Sequence, residues 1–516
     1  MKENKVFKLF LVLMFVGVPL IITKGYKNIV QTKIIYLSVI AICFSFYFFC
    51  KKYVSYIEQN HGKVSFFKDF ISYLEITDVC VFTYVFFNLI ACLFAKYRGV
   101  SFSGITDGYI GLYYVFILSL VYWLFRICKE ETSENLHCMT KLITLGANIS
   151  IIFSFLQFWG FDIFNLISNL NTDHVNNYLS LFGNTGVFGE YIILTIPVTI
   201  AGYLMAIGVK DRLFYGISIF ISIIGILLAN TDATYLGFVI IVVVYICFVI
   251  RNKKDCSRFI EFLSISLLTT YIFGILYDHT TNVRSVSVIT SYIIHMPLSY
   301  FVIGIGLLFV LYMINIFIKT EDYPSVIQRI LIVIFALLFI GILVLFINFS
   351  VFDRQTNIGK FANYLRFSKE WGTQRGYVWT WLWQDFKEFS LGRKVFGLGQ
   401  GTVIFDLLEN HMNEMMNELK YTFDNAHNVY LHQLITIGIA GLAAYIGIIL
   451  SCIMKFLNKK CVKNNFYIGF FIAIIAYSIQ DLVCVFQPMT LFILFIYFSI
   501  LQSATYNYAQ NLTKKQ

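Results

Sequence analysis

The sequence is poor in charge, in proline and in paired cysteines. Charged residues make up 13% of the 516 residues, about half of the roughly 25% that is usual in soluble domains, so an ordinary soluble protein is excluded. Five prolines and an 18% share of aromatic residues exclude a disordered or collagen-like chain. The eleven cysteines include no Cys-x-x-Cys pair, so neither a disulfide framework nor a structural zinc site is indicated.

Long apolar runs dominate what the sequence does contain. Apolar residues account for 58% of the chain, and the mean hydropathy is +0.74. A membrane-spanning helix needs about 20 apolar residues. Runs of that kind lie at 6–23, 33–50, 78–95, 108–127, 139–160, 190–209, 213–230, 233–250, 259–277, 290–318, 330–350, 427–454, 465–482 and 487–504. The sequence therefore predicts an all-α integral membrane protein, a polytopic bundle of about fourteen (12–14) transmembrane helices that forms a single domain over residues 1–516.

Lysine and arginine in the short connections indicate the orientation, because cytoplasmic loops of membrane proteins carry an excess of them. With a cytoplasmic N-terminus, 24 basic residues lie in inner connections and 6 in the short outer ones. This pattern predicts that both termini are cytoplasmic. It also predicts that the first run, which follows Lys2, Lys5 and Lys8, is a retained signal-anchor helix. Topology thus accounts for the net charge of +10, and no nucleic-acid partner is implied.

Two outer connections are longer than the others. Residues 161–189 contain no lysine or arginine, whereas residues 351–426 contain nine basic residues, nine acidic residues and four tryptophans. Loops of this length are usually functional or disordered, and the tryptophans argue against disorder because indoles favour apolar surfaces and the membrane interface. We predict a long helical extracytoplasmic loop at 351–426, with short amphipathic helices on the outer membrane face.

Ionisable residues occur at the ends of the apolar runs and almost never in their middle. Transporters and pumps usually place such residues at membrane depth, where they line a pathway. The pattern therefore argues against a transport pathway, and we expect any chemistry to lie at the outer face.

The end of the long loop carries a histidine at the predicted mouth of a span. His427 lies three residues after Asp424 and directly before an apolar run. A histidine has an ordinary pKa near neutrality and suits proton transfer, and Asp424 could orient it. The alternative is that His427 caps the helix or satisfies an interfacial hydrogen bond.

The second candidate is Arg375, which lies between Gly372 and Trp379 in the same loop. An arginine among aromatic residues suits bidentate binding of phosphate. The stretch Gly397-Leu398-Gly399-Gln400-Gly401 lets the backbone turn sharply and approach another surface closely. It is not a dinucleotide fingerprint, because no strand precedes it. The alternative is a loop arginine that forms a surface ion pair.

Together these pieces resemble a known family. They follow in the order Gly183-Asn184 before a span, Arg375 with Trp379, Phe396-Gly397-Leu398-Gly399, and Ala426-His427-Asn428-Val429-Tyr430-Leu431 before Gly438 and Gly441. The order over about 180–455 is similar to that of the O-antigen ligase and Wzy-type polymerase superfamily of bacterial surface-polysaccharide assembly.

The resemblance implies a metal-independent glycosyltransferase with a GT-C-like fold, without cofactors, and with a glycan on undecaprenyl pyrophosphate as donor. It implies that Arg375 holds the pyrophosphate and that His427 is the base for the acceptor hydroxyl. Both roles are chemically sensible, because a guanidinium stabilises the leaving charge and a sugar hydroxyl needs a proton acceptor. Trp379, Asn428 and Asn184 are then expected to contact substrate.

The sequence departs from the family at the outer end of a middle span. Members commonly carry a Ser-Arg pair there, whereas residues 229–237 read Ala-Asn-Thr-Asp-Ala-Thr-Tyr-Leu-Gly. Either Arg284, Arg354 or Arg366 supplies the second cation for the pyrophosphate, or one arginine is sufficient.

Three functions follow as hypotheses. The first is a polysaccharide polymerase that joins lipid-linked repeat units, and the second is a ligase that moves the finished glycan to another acceptor. The third, a lipid-linked oligosaccharide flippase, would need charged residues along a central cavity, which the apolar span centres contradict. The resemblance further implies a bacterial cytoplasmic-membrane location with an extracytoplasmic active site. It also implies the lipid bilayer, a flippase and a chain-length regulator as partners.

Overall fold

The computed structural model describes residues 2–22, 25–26, 28–59, 74–106, 108–167, 170, 172–249, 251–280, 284–458 and 465–503. Some lysines that the charge pattern assigns to the cytoplasmic side fall in 60–73, 459–464 and 504–516, outside the described residues.

The first half of the chain is almost entirely helical. Its helices are α1 (Lys2–Val12), α2 (Ile29–Gln59), α3 (Ile76–Phe94), α4 (Arg98–Ser103), α5 (Leu112–Ile127), α6 (Lys129–Glu134), α7 (Leu136–Phe158), α8 (Thr185–Met205), α9 (Val209–Ala229) and α10 (Asp232–Val249). A π-helical turn at Leu13–Gly17 and a short helix at Val18–Leu20 continue α1. Before α8, strands β1 (Tyr178–Leu179) and β2 (Gly183–Asn184) form a two-residue antiparallel pair.

The second half continues the helical pattern. Its helices are α11 (Lys253–Asp278), α12 (Val288–Ile294), α13 (Leu298–Phe317), α14 (Ser325–Ile347), α15 (Ala362–Leu365), α16 (Trp371–Glu388), α17 (Leu391–Phe396), α18 (Val403–Glu414), α19 (Val429–Asn458), α20 (Asn465–Gln480) and α21 (Pro488–Ser503).

Within the described residues, each apolar run of the sequence is mainly helical. Among the described residues, ten helices are long and apolar enough to cross a membrane. Three further apolar helices are shorter, at Leu112–Ile127, Phe466–Gln480 and Pro488–Gln502. The expected all-α, multi-pass architecture is confirmed, while the count of fourteen spans and the GT-C-like arrangement stay predictions.

Helix α8 lies at the centre of the bundle. Its membrane-length window is entirely buried, and it packs against α7, α9, α10, α20 and α21. Small residues make this close packing possible, as they do generally between membrane helices. A Cβ atom at Gly202 would lie 2.3 Å from the ring of Tyr215, and one at Gly189 would lie 1.9 Å from Thr234 Oγ1.

Helices α13 and α14 lie at the outside of the bundle. No residue in the membrane-length window of α14 is buried, and only 11% of that of α13 is. Their composition is apolar on every face, which suits contact with lipid. Helix α13 packs on α11, and α14 contacts α10.

The long loop forms a small helical unit with its own apolar core. Helices α16, α17 and α18 lie within it, and its core contains Trp381, Leu382, Leu407, Phe423 and Ile435, the last of which belongs to α19. The prediction of helices at 351–426 is therefore confirmed. The core also fixes this unit against the mouth of α19.

Helices α3 and α19 are packed together and run antiparallel. At one end, Lys455 of α19 forms an ion pair with Glu75, which directly precedes α3. The opposite end therefore holds both the end of α3 at Phe94 and the start of α19 at Val429. Residues that follow α3 and residues that precede α19 consequently lie on the same face of the bundle.

Candidate active site

The backbone around His427 is held at four consecutive residues. The carbonyl of Ala426 accepts a hydrogen bond from Trp379 Nε1 at 2.9 Å, and the His427 N–H donates to Asn425 Oδ1 at 3.0 Å. Asn428 Oδ1 then accepts from the Leu431 N–H at 3.0 Å as the N-cap of α19. The Val429 N–H donates to the Asp481 carbonyl at 2.9 Å. His427 itself has a φ of 48°, a left-handed conformation that is uncommon outside glycine and that these contacts must maintain.

The His427 ring is half-buried and available for chemistry. Phe423 approaches it edge-on, with ring centroids 5.7 Å apart. No residue in the described part of the chain forms a hydrogen bond with either ring nitrogen. Burial, with a smaller contribution from the charge of Arg375, lowers the pKa of His427 to about 4. The imidazole is therefore neutral at physiological pH and able to accept a proton.

A left-handed turn positions Arg375. The three preceding residues, Gly372, Thr373 and Gln374, have φ values of 62°, 60° and 69°, and regular helix begins only after them. At Gly376, a Cβ atom would lie 2.0 Å from the Ser368 carbonyl oxygen, so a glycine is needed for this close approach. The glycines on both sides of Arg375 thus serve the turn that directs it.

Arg375 is a half-buried cation that forms no hydrogen bond or ion pair within the described part of the chain. Its charge interacts with His427, with Asp232 at the start of α10 and with Cys484 in the connection between α20 and α21. Nothing in the described ranges forms a hydrogen bond or ion pair with its guanidinium. Burial lowers the pKa of Arg375, and it also raises the pKa of the Cys484 thiol, which stays neutral. A bound anion would relieve the cost of this desolvated charge.

Trp379 and Asn428 have structural contacts that place them beside the site. Trp379 packs against Trp371, with ring centroids 5.1 Å apart, and stacks on Phe367 at 6.2 Å. The indole N–H of Trp379 donates to the Ala426 carbonyl, so Trp379 supports the segment that carries His427. Asp424 accepts a hydrogen bond from Asn425 at 2.5 Å, and it is Asn425 that contacts the histidine backbone. Contact of Trp379 and Asn428 with substrate stays a prediction.

The glycine stretch 397–401 pairs with a kink in α19. Gly438 has a φ of 70° and interrupts the helix, so the carbonyls of Ile435 and Thr436 accept instead from Leu398 and Gly399, at 3.0 and 2.8 Å. A Cβ atom at Gly397 would lie 2.3 Å from the Thr436 oxygen, and one at Gly438 would lie 2.2 Å from the Val395 oxygen. The two glycine motifs therefore allow two backbones to meet, as the sequence indicated for the first.

Asn184 lies at the N-terminus of the central helix. Its Oδ1 accepts from the Gly186 N–H at 2.7 Å, so it caps α8. Two turns further along α8, Glu190 interacts with Thr490 at 3.2 Å and with the Cys484 thiol. No described contact joins Asn184 to Glu190 or Arg375, and contact of Asn184 with substrate stays a prediction.

The three arginines considered for a second cation lie elsewhere. Arg284 donates to the carbonyls of Val175 and Tyr178. Arg354 donates to the Ser350 carbonyl at 2.7 Å. Arg366 donates to carbonyls in the segment after α14, including that of Phe349 at 3.3 Å. These contacts anchor loops, and no described contact joins any of these arginines to Arg375 or His427. Their part in substrate binding stays a prediction.

The sequence did not single out the polar residues around Arg375 and Cys484. Asp232 lies in the stretch where the family has its Ser-Arg pair, so an acid occupies the region expected to hold a second cation. Glu190 and Asp481 are buried to 2% and 1% exposure. A glutamate at the edge of an apolar run was the one available signal, since such a residue is often functional.

Comparison with known proteins identifies the segment that holds the site. Residues 295–446 match the Wzy_C family, described as O-antigen ligase. This match supports the resemblance of the segment to the O-antigen ligase and Wzy-type superfamily. The matched segment covers less than a third of the chain but includes Arg375, Trp379, His427 and Asn428. No curated protein matches the chain significantly. The match supports glycan transfer by a multi-pass membrane protein, without separating polymerase from ligase.

Proposed function

We propose that this protein is a surface-polysaccharide polymerase of the bacterial cytoplasmic membrane. In this proposal it transfers glycan from undecaprenyl pyrophosphate to a hydroxyl of another lipid-linked repeat unit, outside the cytoplasm. The observation that supports this best is the pairing of two half-buried residues. Arg375 forms no hydrogen bond or ion pair with the described residues, and its charge acts on a neutral His427 whose ring nitrogens have no hydrogen-bond partner among them.

Each residue has one task in the proposed reaction. Arg375 binds the pyrophosphate, which carries negative charge into a site where a guanidinium is poorly solvated. His427 accepts the proton of the acceptor hydroxyl as its oxygen attacks the anomeric carbon of the donor sugar. The new glycosidic bond forms as the bond from that carbon to the pyrophosphate oxygen breaks, and undecaprenyl pyrophosphate leaves with the electron pair.

Donor binding and proton transfer are coupled by charge. The positive charge of Arg375 lowers the pKa of His427, so an unoccupied site holds a weak base. A bound pyrophosphate offsets that charge and raises the basicity of the imidazole, because an anion nearby favours the protonated form. The base is therefore strengthened when the donor is present.

A ligase is the second candidate, because the matched family is described as O-antigen ligase. Reconstitution in liposomes with purified lipid-linked repeat units, supplied without another acceptor, separates the two. Long lipid-linked products indicate a polymerase. Product formation that requires a second, different acceptor indicates a ligase, and movement of the lipid across the bilayer without a new bond indicates a flippase.

Substitution of the two central residues tests the assignment. We expect His427→Ala and Arg375→Ala each to reduce transfer by at least about 100-fold, the usual scale for loss of a general base or of a charge-stabilising group. His279→Ala and Arg329→Ala are matched controls, since both side chains are exposed, and they should retain activity. Wild-type polymer from either site variant would refute the catalytic assignment.

A further inference from the structure

A cleft on the same face as His427 has no part in the reaction described above. It lies between the segment that follows α3 and the start of α18. Its wall includes Lys96, Tyr97, Arg393, Phe405, Asp406 and Glu409. Because α3 ends where α19 begins, the cleft and the catalytic histidine open toward the same side of the membrane.

One wall of the cleft is an ordered aromatic and charged surface. Tyr97 and Phe405 stack with ring centroids 4.3 Å apart and planes inclined by 28°. Both carboxylate oxygens of Glu409 accept from Lys96, at 2.7 and 2.8 Å, and the Tyr97 hydroxyl donates to the same carboxylate at 2.6 Å. These contacts hold a flat ring pair and a carboxylate in fixed positions.

The cleft also contains polar groups with capacity to bind. Arg393 is exposed, and no described residue forms a hydrogen bond or ion pair with its guanidinium. Asp406 Oδ1 accepts from Asn410 at 3.3 Å, whereas its Oδ2 is buried, so the accessible carboxylate of the wall is that of Glu409. Donors and acceptors therefore line one space together with an aromatic surface.

This combination selects for a carbohydrate. Sugar rings present hydroxyls that both donate and accept, which match a guanidinium and a carboxylate respectively. Lys96 offsets the charge of Glu409, so the wall is polar with little net charge, and its charged groups disfavour a lipid chain.

The cleft lies some distance from the reacting centre. Leu398, which lines it, donates to the Ile435 carbonyl, six residues after the start of α19. At about 1.5 Å per helical residue this is roughly 9 Å along the axis from Val429. A single sugar at His427 would not occupy the cleft, whereas an extended oligosaccharide would reach both.

We propose that this cleft holds a distal segment of the growing glycan chain while its lipid-linked end reacts at His427. This inference rests on the proposed function and adds a binding site that retains the polymer between transfers. Weaker retention should shorten the product, because a chain that dissociates between transfers is not extended further.

The test measures binding and chain length separately. Wild type and the variants Glu409→Gln and Phe405→Ala, purified in nanodiscs, are titrated with fluorescently labelled polymer from a wild-type strain that carries this protein. Glu388→Gln and Phe361→Ala are matched controls, since both residues are exposed in the same loop. We expect about tenfold weaker polymer binding in the two cleft variants, as for loss of one charge-assisted hydrogen bond. Shorter polymer should accompany it.

Each outcome has a distinct meaning. Polymer binding by Glu409→Gln and Phe405→Ala that equals wild type, or failure of wild type to bind polymer, overturns the inference. Unchanged product length in correctly folded cleft variants, checked by thermal unfolding, overturns it as well. If the wild-type protein transfers no glycan, the proposed function is refuted. Weaker polymer binding by the cleft variants would in that case still support a glycan-binding role for the cleft.

Discussion

At the scale of single residues, His427 and Arg375 control each other's charge. The pKa of His427 lies near 4, first because the ring is buried and second because the guanidinium repels its protonated form. Removal of that guanidinium should therefore raise the pKa of His427, although burial keeps it below the ordinary value of about 6.5.

Chemical modification can measure this coupling without any substrate. Diethyl pyrocarbonate reacts with neutral imidazole, so the rate at His427, followed by mass spectrometry, should stay constant from pH 8 down to about pH 5. Free N-acetylhistidine has a pKa of about 6.5, so its reactivity should already decline at a pH well above 5. In Arg375→Gln the decline at His427 should begin at higher pH. A profile that is identical in wild type and Arg375→Gln would contradict the proximity of the two charges.

Gly397 and Gly438 allow two backbone segments to approach each other closely. Alanine at either position places a Cβ atom 2.2–2.3 Å from a backbone oxygen that cannot move away easily. The two glycines also have φ values of 78° and 70°, which disfavour any side chain. We expect each substitution to lower the free energy of unfolding by about 1–3 kcal/mol and to reduce transfer, because the kink sits on the helix that carries His427.

Gly341→Ala is the matched control for these glycines. Gly341 lies within α14, and a Cβ atom there would have no neighbour within 4 Å, so the higher helix propensity of alanine should leave stability unchanged or slightly improved. Thermal unfolding in detergent compares the three variants. Wild-type stability of Gly397→Ala would argue against the backbone pairing.

At the scale of elements, the unit of α16–α18 contains a buried acidic cluster. His411 contacts Asp385 at 3.0 Å and Glu414 at 2.6 Å, and it stacks on Trp381 with centroids 5.4 Å apart. Asp406 adjoins Asp385. Burial, reinforced by the neighbouring Asp385, raises the pKa of Asp406 to about 7.

This shift makes the stability of the loop unit depend on pH. An aspartate in the unfolded chain has a pKa of about 3.9, so the folded form retains its proton more tightly. The resulting stability is fully present below about pH 4 and is lost as pH rises through 7. Local opening of α16–α18, measured by hydrogen exchange corrected for intrinsic rates, should be easier at pH 8 than at pH 6 by about 1 kcal/mol.

Asp406→Asn is the control for the acidic cluster. An amide occupies the same volume but does not titrate, so the difference between pH 6 and pH 8 should become smaller. A wild-type unit that becomes more stable on going from pH 6 to pH 8 would contradict the assignment.

At the scale of the whole molecule, the antiparallel packing of α3 and α19 defines two faces. Asn413 and Lys254 are exposed, in the long loop and at the start of α11 respectively. If the long loop is extracytoplasmic, Asn413→Cys should react with a membrane-impermeant maleimide in intact cells, and Lys254→Cys only after permeabilisation. Wild type supplies the background of the native cysteines. The reverse pattern would place the active site in the cytoplasm.

Helix positions could be predicted from the sequence, but the burial of each helix could not. Within the described residues each apolar run is mainly helical, with 290–318 divided into two helices, because main-chain polar groups within lipid must be satisfied inside the segment. Yet α8 and α14 are both strongly apolar, and one is entirely buried while the other is exposed along its length. Lipid and protein interior are similarly apolar, so composition cannot separate them.

The sequence alone determined the membrane class, the helices and the two residues expected to carry chemistry. These features are local: apolar runs, charged connections, and a rare arginine or histidine. Local features can be recognised in the sequence before the fold is known. Tertiary structure decided that Arg375 and His427 interact, that Asp232 and Cys484 join them, and that Trp379 supports Ala426. These relations join distant parts of the chain, since electrostatics and packing act through space and depend on how the helices pack.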